Sequence, residues 1–280
     1  MTSDRVAPAR RRQLAVAVLG TVLLLALAGC SLDDVPNQIS IPTPKSDTGD
    51  RIFHLWQATW IALWVIGLFT WALMLGAAWF YRRRNEDYVP KQTRYNVPIE
   101  VLYTVTPMIV VMVFAWFTIR DSNEITAVEN NQAQTVNVVG YQWNWGFNYT
   151  DEDVYEVGTP SDLPTLYLPV GQKVQFVLTS PDVIHSFWIP DFLMKMDVVP
   201  GRANTFELTP TVEGRYTGKC AELCGVYHSQ MLFWVEVVSP DEFDQKMKEL
   251  RLAGQTGELD TGRRNTDAKD LGNTRIGEDS

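Results

Sequence analysis

The strongest constraint on this chain is a long stretch without a single formal charge. Residues 55–81 contain no Asp, Glu, Lys, Arg or His. A helix through that run exceeds the roughly 30 Å hydrocarbon thickness of a bilayer, so the run predicts a tilted membrane span. Trp56, Trp79 and Tyr81 lie near its ends, where interfacial aromatic belts form. A second uncharged run, residues 101–119, has about the minimum spanning length. Arg82, Arg83, Arg84, Lys91 and Arg94 lie between the two. Lys and Arg concentrate on the cytoplasmic side, so the 82–100 loop is expected there. The two spans then form a hairpin, with both flanking segments on the outer side. A pair of soluble core helices is the competing reading, and the length of the first run argues against it.

The N-terminus supports the same orientation. Arg5, Arg10, Arg11 and Arg12 precede an apolar run over 14–28, which leads into Leu27-Ala28-Gly29-Cys30. That run is short for a span and has signal-peptide length, although a first membrane anchor is the alternative. The pattern resembles a bacterial lipobox, which implies a signal peptide over 1–29, cleavage before Cys30 and lipidation of its thiol. Residues 30–54 then read as a linker. His54 borders the first span and reads as interfacial.

Charge divides the chain. Residues 1–120 hold 12 Lys/Arg and 8 Asp/Glu, whereas residues 121–280 hold 12 and 25. The acidic half repels nucleic acid, because phosphate binding needs cations, and it favours a cationic partner. This half is rich in short β-prone runs: 135–139, 141–149, 165–169, 174–179, 203–209, 214–219 and 232–238. Turn residues separate them, as at Pro169-Val170-Gly171 and Pro200-Gly201. Such spacing predicts an all-β sandwich or barrel over 120–240. Phe243, Met247 and Leu250 recur at helical spacing within 241–253. Residues 254–280 have few large apolar groups and read as a mobile tail.

The chemistry concentrates in Cys220-Ala-Glu-Leu-Cys224-Gly-Val-Tyr-His228-Ser-Gln-Met231, with His185 upstream. Two thiolates, two imidazoles and a thioether form a soft donor set suited to copper. A blue-copper site needs only one Cys, so the second points to two metals bridged by sulfur. A Cys220–Cys224 disulfide and a Cys2His2 zinc site are the competing readings, and neither uses Met231. Glu100, at the mouth of the second span and seven residues before Pro107, reads as an interfacial carboxylate or as part of an ion path.

The segment from Cys220 to Met231, with His185, resembles the CuA motif of subunit II of the haem–copper cytochrome c oxidases. The likeness extends to the helix hairpin, to Tyr141-Gln-Trp-Asn-Trp145, to Lys195-Met-Asp197 and to Pro200-Gly-Arg202. With the lipobox, it resembles the lipoprotein form of Gram-positive bacteria. The resemblance implies a transmembrane hairpin carrying a cupredoxin-like outer domain. It implies that Cys220 and Cys224 bridge two coppers, that His185 and Met231 complete one, and that His228 and the Glu222 carbonyl complete the other. The Glu222 side chain is implied to help bind a magnesium or manganese ion shared with subunit I. Trp143 corresponds to the residue at which electrons arrive from a cytochrome c. Glu100 corresponds to the entrance of a proton channel into subunit I.

The expected role is one-electron relay from a separate cytochrome c, soluble or membrane-bound, to haem in subunit I. Oxygen reduction and proton pumping are then functions of the whole oxidase. Asp151, Glu152, Asp153, Glu156 and Asp162 are expected to form an acidic landing patch for the donor, unless they are simply a solvated loop. The family often has His before the Gln and an aromatic between the two Trp residues; here these are Tyr141 and Asn144. Two other readings compete: a copper-free quinol-oxidase subunit II, which lacks these ligands, and a copper-delivery lipoprotein, which leaves Trp143 and Glu100 without a role.

Overall fold

A computed structural model describes Gly20 and residues 41–83, 89–90, 92–129, 134–159 and 161–261. The expected signal peptide, Cys30 and residues 262–280 of the expected tail lie outside this set. Among the described residues, the element order opens with two long helices, α1 (Asp47–Phe80) and α2 (Val97–Ile125). Ten strands follow: β1 (Gln134–Tyr141), β2 (Asn144–Tyr149), β3 (Val154–Val157), β4 (Thr165–Pro169), β5 (Val174–Thr179), β6 (His185–Ile189), β7 (Met194–Val198), β8 (Asn204–Leu208), β9 (Gly214–Cys220) and β10 (Leu232–Val238). Helix α3 (Pro240–Leu252) closes the order.

Both long helices are apolar and leave Leu68, Phe69, Val111 and Trp116 exposed, as lipid-facing spans do. They run antiparallel, since Arg51 near the start of α1 pairs with Glu124 near the end of α2. Helix α1 begins earlier than the uncharged run because Ser46 caps it, its Oγ accepting from the Gly49 N–H at 3.1 Å. Ser46 also donates to the Phe192 carbonyl at 3.0 Å and is fully buried. Lys45 N–H donates to the Asp191 carbonyl at 2.8 Å, and Thr209 N–H to the Asp47 carboxylate at 2.8 Å. These bonds fasten the head of α1 to the β domain, so residues 45–54 are not the extended linker expected from their polarity.

The β domain is the sandwich anticipated from the turn spacing, of the cupredoxin-like class. One sheet has the order β3-β2-β1-β5-β8 and the other β4-β10-β9-β6-β7. Strands β1 and β5 pair in parallel, as do β10 and β4, and the remaining pairs are antiparallel. The core between the sheets is aromatic. Phe187 stacks on Phe233 with ring centroids 5.0 Å apart, Phe176 stacks on Phe206 at 4.9 Å, and Trp145 meets Phe187 and Phe233 edge-on. Helix α3 is capped by Ser239 and buries Phe243, Met247 and Leu250 against this core.

Several strand expectations need correction. The run 141–149 is not one strand. It breaks at Gln142–Trp143 into a hairpin, because both residues are drawn out of the ladder by partners across the molecule. Strands β3, β6 and β7 were not anticipated. Strand β7 alternates Met194, Met196 and Val198 with Lys195 and Asp197, and Lys and Asp are depleted in strands. Strand β6 starts on His185 and Ser186, polar residues that are buried here. Residues 254–261 also differ from the expected tail. Tyr155 N–H donates to the Gln255 carbonyl at 3.1 Å and Gly257 N–H to the Asp153 carbonyl at 3.2 Å, so this segment lies against β3.

Candidate metal centre

The ladder of the second sheet assembles the site. Strand β9 ends on Cys220, β10 begins after Met231, and Lys219 pairs with Leu232 across them. Cys220 N–H donates to the Met231 carbonyl at 3.0 Å, and Ala221 N–H donates to the Ser186 carbonyl at 2.9 Å. The loop is thus pinned at its base and against β6, whose first residue is His185.

Five side chains and one carbonyl converge. Cys220 Sγ lies 3.8 Å from Cys224 Sγ and 3.9 Å from His185 Nδ1. Cys224 Sγ lies 3.5 Å from His228 Nδ1 and 3.8 Å from Met231 Sδ. The Glu222 carbonyl oxygen is 3.2 Å from Cys220 Sγ. Donor atoms of His185, Cys220 and Cys224 all lie within 4.8 Å of one another. His185 and Met231 are fully buried and both cysteines nearly so. The two cysteines are free thiols, which removes the disulfide reading. A buried soft donor set with a thioether fits copper, whereas zinc would leave Met231 unused. Glu222 is exposed, and its carbonyl is the atom that reaches the cluster.

The electrostatics favour one thiolate. Burial pushes the Cys220 thiol up, but hydrogen bonds with His185, the backbone at Ser186 and Glu222, and His228 outweigh it and bring its pKa to about 6. Burial and the neighbouring Cys220 charge push Cys224 up to about 12. Burial opposes charge on His185, yet its bonds to Cys220 and Asp182 raise its pKa.

Asp182 was not singled out from the sequence. One carboxylate oxygen lies 2.9 Å from His185 Nε2 and accepts from Val183 N–H at 2.6 Å; the other accepts from Gln142 N–H at 2.7 Å. Burial pushes its carboxyl up, but these bonds outweigh it and hold the pKa low. Asp182 therefore fixes the imidazole with Nδ1 toward the sulfurs, as carboxylates behind metal-ligating histidines do. Its place three residues before His185 was the only available signal.

Trp143 is brought to the same loop. Its Nε1 donates to the Cys224 carbonyl at 3.2 Å, and Gln142 Nε2 donates to that same oxygen at 2.8 Å. Gly225 adopts φ +128°, and a Cβ there would lie 3.0 Å from the indole, so glycine permits this approach. The ring of Tyr227 packs edge-on against Trp143 with centroids 5.0 Å apart. Glu100 is far along the chain at the opposite end of α2, where its Oε1 accepts from Asn96 N–H at 2.9 Å and helps cap the helix.

Of the expected acidic patch, three members are engaged within the domain. Asp151 accepts from Thr135 N–H at 2.7 Å, Glu152 pairs with Arg251 at 3.3 Å, and Glu156 is half-buried with its pKa raised, chiefly by burial.

Family models match two parts of the chain. Residues 161–238 match the cytochrome c oxidase subunit II periplasmic domain, and residues 35–120 match the transmembrane domain of the same subunit. The probable cytochrome c oxidase subunit 2 of Streptomyces avermitilis is 46% identical, over 91% of this chain and 92% of that protein. That of Streptomyces coelicolor is 43% identical over the same shares. Among solved structures, the periplasmic domain of subunit II of cytochrome oxidase (CoxB) of Bradyrhizobium japonicum is 28% identical with a TM-score of 0.41, covering 44% of this chain and 97% of that one. With a family copper site gathered at His185, Cys220 and Cys224, two apolar helices and an outer β domain, the chain belongs to the cytochrome c oxidase subunit II family, a component of the haem–copper oxidoreductase complex.

Proposed function

We propose that this subunit accepts electrons one at a time from a cytochrome c donor on the outer face and relays them to haem in subunit I. The observation that carries this reading is the convergence of Cys220, Cys224, His228 and Met231 of one loop with His185 of β6, all but His228 buried, with Trp143 hydrogen-bonded to the Cys224 carbonyl of that loop. In this reading Cys220 and Cys224, together with His185, Met231, His228 and the Glu222 carbonyl, would hold a binuclear copper centre. Bound copper supplies one-electron redox chemistry.

The chain's own residues do the rest. The sandwich core excludes water from the sulfurs, so charge within the cluster is poorly screened. Asp182 holds the His185 imidazole in one tautomer and anchors the Gln142–Trp143 turn. Trp143 connects the partly exposed edge of the domain to the backbone beside Cys224. Buried ligands suit permanent metal retention better than delivery to another protein.

Three finer assignments belong to the same reading. The exposed Glu222 carboxylate contributes to a magnesium or manganese site shared with subunit I. Glu100 marks the entrance of a proton path into subunit I, in addition to capping α2. Cys30 carries a lipid that anchors the mature N-terminus on the outer face. Trp143→Leu is expected to slow electron delivery from a reduced c-type cytochrome at least tenfold, with the copper content unchanged. An unchanged delivery rate removes Trp143 from the path.

A further inference from the structure

Beyond the metal loop, the segment 255–260 makes contacts that edge protection does not explain. Its first half covers the free edge of β3, where Thr256 forms an antiparallel bridge with Val154. Its second half leaves that edge and crosses onto the β1–β2 hairpin. Leu259 N–H donates to the Oδ1 of buried Asn148 at 2.9 Å, and the Asp260 carbonyl accepts from the Tyr141 hydroxyl at 2.7 Å. The Leu259 side chain and the Tyr141 ring both lie over Gly146, where a Cβ would collide with Leu259. Glycine at 146 lets Leu259 seat there without shifting. Tyr141 pairs with Asn144 and Gly140 with Trp145 across the hairpin, and Leu259 and Asp260 bond to the Asn148 and Tyr141 side chains rather than to its ladder.

The crossing ends at the residue that flanks the Gln142–Trp143 turn. From the inner side, that turn is held by Cys224 and Asp182. From the outer side, Tyr141 is held by Asp260, and Asn144 Nδ2 donates to the Gly158 carbonyl. Burial, with Asp260 and Asp182 nearby, pushes the Tyr141 hydroxyl up to about 12, so it remains a donor at physiological pH.

We infer that Leu259 and Asp260 form an external brace that positions Tyr141, and through it Trp143, for electron delivery by the donor protein. Tyr141 and Leu259 are positioning residues that act through the Gln142–Trp143 turn. The inference rests on the proposed role of Trp143. Distance and orientation control transfer steeply, so a brace acting on this turn is read in rate rather than in metal binding.

The test uses the whole oxidase carrying this subunit, with Leu259→Ala, Tyr141→Phe, Leu259→Met as the conservative control and Trp143→Leu as the reference. Pre-steady-state oxidation of a reduced soluble c-type cytochrome is compared with reduction by hexaammineruthenium, and the copper signal is recorded by electron paramagnetic resonance. Leu259→Ala and Tyr141→Phe are expected to slow cytochrome oxidation about threefold to tenfold. Leu259→Met should restore it, with the ruthenium rate and the copper signal unchanged throughout. If Trp143→Leu is slow while both brace variants match wild type, the brace inference fails alone. An equal loss with both reductants, or an altered copper signal, makes the segment merely structural and overturns it. If Trp143→Leu itself matches wild type, the role of Trp143 fails and the brace falls with it.

Discussion

The metal loop and the joint between α1 and the sandwich fasten the same domain by different physics. At the loop, the donors His185, Cys220, Cys224 and Met231 are buried and the backbone is tied into the β6–β9–β10 ladder. At the joint, backbone bonds and buried Ser46 are accompanied by charged pairs: Arg51 with Glu124, and Lys173 with Glu129 at 2.6 Å. The first arrangement leaves each atom few alternatives, because an unpaired buried polar group is costly. The second keeps its charges near water, where pairs contribute little. The centre is therefore brittle to single-atom changes, whereas the joint tolerates them.

The largest effect should come from Cys224→Ser. It removes a sulfur that faces both His228 and Met231, and copper binding is expected to be lost while the sandwich still folds. Metal analysis and far-ultraviolet circular dichroism measure the two together. Retained copper at wild-type stoichiometry breaks the contrast at its brittle end. Asp182→Asn should come next, weakening copper binding by about 10- to 100-fold, the usual cost of losing a carboxylate behind a metal-ligating histidine. A competition titration with a copper chelator reads this directly.

The metal-free protein sharpens the same end. One thiolate per chain should appear as pH rises through about 6, while the second stays protonated until about pH 12. Cys220 has its folded pKa lowered below the unfolded value of roughly 8.5, so its contribution to stability is complete above that value and is lost as pH falls through about 6. Cys224 acts in the opposite sense, because its raised pKa disfavours the folded form as pH climbs above its unfolded value. Thiolate absorbance near 240 nm against pH shows whether one or two groups titrate below pH 8.

At the joint the effects shrink. Ser46→Ala should cost about 1–2 kcal/mol, since the capping hydroxyl is buried and also serves Phe192. Arg51→Met should cost about 1 kcal/mol or less, because both Arg51 and its partner Glu124 are nearly half exposed. Chemical denaturation of the detergent-solubilised chain ranks the two. A larger loss at Arg51 than at Ser46 reverses the proposed order.

Much of this contrast was legible in the sequence, and the reasons are local. The two membrane helices follow from uncharged length alone. The donor residues follow from the spacing of Cys220, Cys224, His228 and Met231, because sulfur and imidazole rarely gather without a metal to hold. What stayed hidden is long-range. Asp182 is chemically ordinary until the fold puts it behind His185. Strand β6 is disguised by buried His185 and Ser186, which look like a loop by polarity. The hairpin break at Gln142–Trp143 depends on Cys224, which lies 82 residues beyond Gln142 in the chain. Residues 255–260 looked too polar to order, yet backbone bonds to β3 and one leucine suffice. The acidic loop read as a landing patch is partly consumed by Thr135 and Arg251.

The measurement closest to the central claim is copper stoichiometry joined to electron paramagnetic resonance on the purified full-length chain. Two coppers per chain, with one unpaired electron shared equally over both nuclei, is the result expected of a sulfur-bridged pair held by Cys220 and Cys224. One copper per chain after full reconstitution, with hyperfine splitting from a single nucleus, would contradict it.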